Sequence, residues 1–179
     1  VDTLQVADDR TGGAVAPERW ERVADDLVSA LKEAPVVAPF NLHPHFPRVG
    51  LPEWRVDDEL EIDYHVRHSA LPQPGTHEQL LEVLQRLHVP LLDRDRPGWI
   101  CQVIEGLEGN RFAVYTKIHH AYIDGMSGVK RMYGSLSTSS RQMEVVPSWS
   151  YVPERRHKKR KKSRMRAGRA VVGQARALA

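Results

Sequence analysis

The chain has 179 residues, a length that fits about one domain. Hydrophobic residues make up 41% and charged residues 27%, as in ordinary globular proteins, and no run approaches the ~18 consecutive apolar residues of a transmembrane helix. The net charge of +3 conceals two unlike parts: residues 1–154 hold 15 Lys/Arg against all 23 Asp/Glu, a net −8, whereas residues 155–179 hold 11 Lys/Arg and no acid, a net +11. The one cysteine, Cys101, excludes an internal disulfide framework and a Cys-rich zinc site, and predicts a reducing, cytoplasmic setting.

Val1 to Val6 show neither the basic start nor the apolar run of a secretory signal. With no initiator Met, the numbering is expected to begin inside a longer chain. Residues 1–6 alternate and predict a strand, and Asp8 to Gly13 a turn. A helix follows, with Pro17 in its first turn and Trp20, Val23, Leu27, Ala30, Leu31 and Ala34 on one face. Pro35 and Pro39 end it. Residues 40–53 carry Pro44, Pro47 and Pro52 with no period, and read as a loop. Residues 60–71 predict a strand with Ile62, Tyr64 and Val66 on one face. Thr76 and Gln79 have the spacing of a capping box, opening a helix with Leu80, Leu81, Leu84, Leu87 and His88 along one side and Pro90 as its stop.

Asp93 to Arg96 read as a polar turn with local ion pairs. Residues 99–105 and 111–118 predict two strands joined by a hairpin loop, with Phe112, Val114, Thr116 and Ile118 on one face. Cys101 reads as a small buried hydrophobe, and Trp20 and Trp54 as packing residues. His65 and His68 are assigned no chemistry. A helix is expected from Asp124–Gly125, with Met126, Val129, Met132, Tyr133 and Leu136 at its core. Residues 137–153 read as loop or linker. The order β-α-β-α-ββ-α implies an α/β fold with mixed strand directions.

Chemistry concentrates in Ile118-His119-His120-Ala121-Tyr122-Ile123-Asp124-Gly125. Adjacent histidines leaving a strand point in different directions, so one faces a cavity while the other is held. A His whose ordinary pKa is near ~6.5 suits general-base work on a hydroxyl or thiol attacking an acyl carbonyl. No Gly-x-Ser-x-Gly elbow accompanies it, which suggests direct transfer between two bound substrates. Asp124, at the first helical turn, is placed to fix the loop by hydrogen bonds or by pairing with an Arg. Gly125 permits close backbone approach or an unusual dihedral. No metal is expected, because the helical H-E-x-x-H spacing is absent.

His119-His120-Ala121-Tyr122-Ile123-Asp124-Gly125 resembles the HHxxxDG signature of coenzyme-A-dependent acyltransferases, which include chloramphenicol acetyltransferase and condensation domains. Asp63 to His68, Leu71 to Gly75, Leu91 to Pro97, Ile104 to Gly109 and Phe112 to His120 are similar to the bacterial wax ester synthase/diacylglycerol acyltransferase family. The resemblance runs over residues 1–137.

It implies a chloramphenicol-acetyltransferase-like two-layer α/β sandwich, a mixed sheet with helices on one face, forming one half of a two-domain enzyme. Residues 1–137 would be the N-terminal domain. Residues 138–179 would be a linker and basic helical segment leading to a C-terminal domain. His120 would be the general base that deprotonates a fatty alcohol or diacylglycerol for attack on an acyl-CoA, giving wax ester or triacylglycerol. His119 would support the loop, Asp124 would hold it through an Arg, and Gly125 would let it turn. Acyl-CoA enters as substrate, with no further cofactor.

Two departures stand out. Where the family usually has Pro-Leu-Trp, this chain has Pro97-Gly98-Trp99. These are pocket candidates, and loss of the Leu predicts altered acyl or alcohol preference. The chain is also less than half the family's length, so one wall of the site and its oxyanion donors would be missing and this fragment alone inactive. Arg155 to Arg166 carry nine positive charges in twelve residues and read as a solvated linker or as a contact with an anionic inner-membrane or lipid-droplet surface, with CoA phosphates or with nucleic acid, the lipid surface being favoured. Residues 167–179 have the composition to continue as a helix. No aromatic residues are interleaved there, which argues against nucleic acid. Two other functions fit the same fold: a condensation-type acyltransferase using carrier-protein thioesters, and a non-catalytic acyl-lipid-binding protein.

Overall fold

The computed structural model describes residues 2–7, 17–136 and 145–152. The centre is a hairpin of β5 (Trp99–Leu107) and β6 (Arg111–Ile118), with Trp99 opposite Ile118 in register. Residues 99–104 are buried without a break, the mark of a strand covered on both faces. β4 (Val66–Ala70) pairs with β5 in parallel, and β1 (Asp2–Ala7) pairs with β6 antiparallel as the far edge. The sheet order is β1-β6-β5-β4. The expected α/β class with mixed strand directions is therefore the observed one.

The two faces carry separate cores. β6 sends Phe112 and Ile118 to one side, where they meet Ala24, Val28 and Leu31 of α1 (Pro17–Glu33). It sends Ala113 and Tyr115 to the other, where they meet Leu80 of α3 (His77–His88). Helices therefore lie on both faces of the sheet, which corrects the expectation of one. The capping box is present: Thr76 Oγ1 accepts from the Gln79 amide, and Gln79 Oε1 accepts from the Thr76 amide at 2.7 Å. At the far end of α3, Lys117 Nζ donates to the carbonyls of Leu87, His88 and Pro90, stitching α3 to β6.

Local expectations shift in several places. Residues 40–53 are not all loop: β2 (Leu42–His45) and β3 (Glu53–Val56) form an antiparallel pair. A two-stranded ribbon has two open edges, so it tolerates Pro44. The expected strand over 60–71 starts late, because Ile62–His65 is a single helical turn, α2. That turn swings His65 into the core. Its carbonyl at Tyr64 accepts from Arg67 Nε at 2.7 Å. The buried stripe of α1 is Ala24-Val28-Leu31 and leaves Val23 exposed; that of α3 takes Val83 in place of Leu81. The side chain of Trp20 and residues 8–13 lie outside the described residues.

α4 (Gly125–Ser135) departs most. Met126 and Tyr133 are 67% and 70% exposed, and the buried residue is Arg131. Its guanidinium donates to the carbonyls of Ser148 and Tyr151 and sits 5.2 Å from the Phe40 ring. Val129 and Met132 border a cavity of about 640 Å³ between α4, α1 and the sheet. The segment read as linker is packed where it is described. Trp149 is 2% exposed and stacks on Trp99, and the Val37 amide donates to its carbonyl at 3.0 Å. Residues 137–144 and the basic run lie outside the described residues.

Candidate active site

The histidine motif begins where β6 ends. The His119 amide donates to the Gly98 carbonyl at 2.8 Å, and the Tyr122 amide donates to the His119 carbonyl at 3.0 Å, closing a tight turn. Tyr122 and Ile123 are buried, so the loop is pinned by two large apolar side chains. His119, His120 and Ala121 on its outer side are exposed. His119 Nδ1 accepts from the Ala121 amide at 3.2 Å, which leaves its proton on Nε2. His120 has no hydrogen-bond partner among the described residues.

Asp124 is the N-cap of α4: its Oδ1 accepts from the Ser127 amide at 2.7 Å. Those donors hold its carboxyl below the usual carboxylate range. No arginine among the described residues pairs with it; within them the loop is fixed by the helix cap. Gly125 starts α4 in ordinary helical backbone, and a Cβ there would meet nothing within 4 Å. Among the described residues, neither space nor dihedral requires glycine at that position.

A second cavity, of about 510 Å³, opens beside His119. Phe46, Trp54, Leu92, Gly98 and Tyr122 form its walls, with Arg94 and Arg96 at the charged side. Arg96 is held by Glu61 at 2.7 Å and Arg94 is exposed. The larger cavity touches the motif through Ile123 and Gly125 but no histidine borders it; the smaller one is bordered by His119 and Ala121, and His120 lines neither. Burial pushes the Tyr122 phenol up. Of the three expected pocket residues only Gly98 lines this cavity. Pro97 is buried, and Trp99 is a core residue held between His65 and Trp149. Its Nε1 donates to the Phe40 carbonyl at 2.8 Å.

Sequence reasoning missed Tyr122 and Trp54 as cavity walls. The two rings meet edge to face at 4.9 Å. A large aromatic inside the histidine motif was the available signal for Tyr122; Trp54 was hidden by the loop assignment of its neighbours. Cys101 is buried as expected, its thiol pushed up to about 12. Asp93 and Arg96 make the expected local contact, at 3.9 Å. Among the described residues no group of His, Cys, Asp and Glu is arranged to hold a metal, and no helix is long and apolar enough to cross a membrane.

A mixed α/β sheet that ends in a pinned double-histidine loop beside a cavity of apolar and charged walls defines a class, and residues 2–179 match one family throughout. The chain belongs to the wax ester synthase/diacylglycerol acyltransferase catalytic-domain family. It is 52% identical over 103 residues to a Mycobacterium tuberculosis protein named as a probable diacylglycerol O-acyltransferase, covering 58% of this chain and 23% of that one. It is 48% identical over 96 residues to an O-acyltransferase of Acinetobacter baylyi, covering 54% of this chain and 21% of that one. Its fold is similar to that of the wax ester synthase/diacylglycerol acyltransferase from Marinobacter aquaeolei. The TM-score is 0.72 at 34% identity, over 83% of this chain and 34% of the other. The chain thus spans about a fifth to a third of the length of these relatives.

Proposed function

We propose that this chain supplies the histidine-bearing wall of an O-acyltransferase that moves a long-chain acyl group from acyl-CoA to a fatty alcohol or a diacylglycerol. The observation that carries the reading is the exposure of His120 on a loop pinned by Tyr122 and Ile123, its sequence neighbours His119 and Ala121 lining a cavity of mixed apolar and charged walls. An exposed imidazole without a partner among the described residues is open to contact by a substrate.

In the proposed step His120 takes the hydroxyl proton of the acceptor as its oxygen attacks the thioester carbonyl. A C–O bond forms, the C–S bond breaks, and the imidazolium returns the proton to the departing thiolate. The ester and free CoA leave. His119 supports the loop through Ala121, and Asp124 through the α4 cap. No step requires a cofactor beyond the thioester. Because the chain spans so little of its relatives' length, we assign the remaining wall and the oxyanion donors to a further part of the polypeptide, and expect the 179 residues alone to be inactive. The run 155–166, with nine positive charges, is assigned to an anionic lipid surface.

The test is CoA release from palmitoyl-CoA by the complete polypeptide, with and without hexadecanol or a diacylglycerol. Acceptor-dependent release that falls by about 10²-fold or more in His120→Ala supports the reading. Equal release by both proteins removes His120 from the chemistry. Turnover that requires a carrier-protein thioester points to a condensation-type enzyme, and lipid binding without turnover to a binding protein.

A further inference from the structure

Gly98 and Tyr122 divide one small volume between them. A Cβ on Gly98 would stand 2.8 Å from Cε2 of Tyr122 and 3.1 Å from Cβ of His119. Both are inside the ~3.5 Å at which carbon atoms rest against each other. The Gly98 backbone has little freedom to retreat: its carbonyl takes the His119 amide, and the next residue, Trp99, is stacked between two rings. The Tyr122 ring is held as well, 8% exposed and edge-on against Trp54. Its buried hydroxyl lies against the Gly98 backbone without a well-formed hydrogen bond, and the ring is what it contributes to the cavity.

The missing side chain at position 98 therefore does not widen the cavity. The space a Cβ at position 98 would occupy is taken from the motif loop by an aromatic ring. Phe46, Trp54, Leu92 and Tyr122 give the cavity an apolar side able to hold an alkyl chain, opposite the charged side of Glu53, Asp93, Arg94 and Arg96. We propose that Tyr122 is a specificity-determining residue whose ring narrows the cavity beside His119 to admit an unbranched alkyl chain, and that Gly98 is its obligate partner. This deepens the acyltransferase reading and rests on it. The chain belongs either to the acyl donor or to the acceptor; both present the same chemistry.

Thermal unfolding of Gly98→Ala, Tyr122→Ala and the double variant of this chain tests the partnership without any assay. Gly98→Ala is expected to lower Tm by about 3–10 °C, and by less than about 2 °C when Tyr122 is already Ala. Equal losses in both backgrounds overturn the pairing. For specificity, kcat/KM ratios of linear to methyl-branched substrates are measured in the complete polypeptide, once for C16 alcohols and once for C16 acyl-CoA. Tyr122→Ala is expected to raise relative use of the branched compound about tenfold in one series. Tyr122→Phe, which keeps the ring, is expected to keep the ratio. A shift among alcohols places the acceptor chain against Tyr122, and a shift among thioesters places the donor chain there. Unmoved ratios in both series overturn the proposal, as does an equal shift with Phe. An unsubstituted polypeptide with no transferase activity overturns the acyltransferase reading instead, and the unfolding result still decides the Gly98–Tyr122 partnership.

Discussion

His65 Nδ1 lies 2.7 Å from the carbonyl of Trp99, while its ring lies flat on the indole of the same residue, centroids 4.4 Å apart and planes 17° from parallel. A carbonyl only accepts, so Nδ1 carries the proton and Nε2, buried without a partner, is the bare nitrogen. Protonating Nε2 would place an unpaired charge in the core. Burial accordingly lowers the His65 pKa below 6.5, against the raising effect of the Trp99 carbonyl.

The consequence is a stability that depends on pH in a known direction. Between the lowered folded value and about 6.5 the unfolded chain binds the extra proton. Stability is therefore full above 6.5 and is lost as pH falls through that window, with a slope of up to ~1.4 kcal/mol per unit. Denaturant unfolding from pH 7.5 to 5.0 is expected to show this decline and His65→Gln to flatten it. A variant with the same slope as the parent would reject the assignment to His65.

What the sequence disclosed was the chemistry of near neighbours. Thr76 and Gln79 satisfy each other's backbone within one turn, and the alternation of Phe112 to Ile118 fixes a two-sided strand. The same locality made the motif loop legible, down to Asp124 at the start of α4. Positions settled by distant partners were not legible. His65 leaves its strand pattern because Trp99, 34 residues on, offers a ring and a carbonyl. β2 and β3 were obscured by prolines that an isolated ribbon accepts. Gly98 and Tyr122 are far apart in sequence, and only the fold shows that they compete for one space.

Gly75 has φ +76°, and a Cβ there would lie 1.8 Å from the Gly106 carbonyl oxygen. The contact joins the turn before α3 to the β5–β6 hairpin, where the Glu108 amide donates to the Gly75 carbonyl at 2.8 Å. Backbone does not yield as a side-chain tip does. Gly75→Ala combines left-handed strain with overpacking and is expected to cost about 2–4 kcal/mol in urea unfolding. A loss below about 1 kcal/mol would mean the two turns separate readily.

Trp149 tests whether the segment after α4 belongs to the packed body. Its indole stacks on Trp99 at 4.8 Å, and Arg131 holds the carbonyls on either side of it. Trp149→Ala is expected to destabilise by about 3–5 kcal/mol and to weaken the near-ultraviolet dichroism of the stacked indoles. A change within about 0.5 kcal/mol would mark 145–152 as an appendage.

Asp124 separates two ways of fixing the motif loop. If its work is to cap α4, the side chain needs an oxygen that accepts from the Ser127 amide, and charge is secondary. Asparagine caps as well as aspartate, whereas alanine does not. Asp124→Asn is therefore expected to keep the Tm of the parent within about a degree, while Asp124→Ala loses several degrees. If the carboxylate instead answers an arginine from a part of the polypeptide beyond this chain, both substitutions fail alike in the complete polypeptide and the asparagine variant loses turnover. Measuring Tm in this chain and acceptor-dependent CoA release in the complete polypeptide distinguishes the two, because the cap is intrinsic to α4 and the ion pair is not.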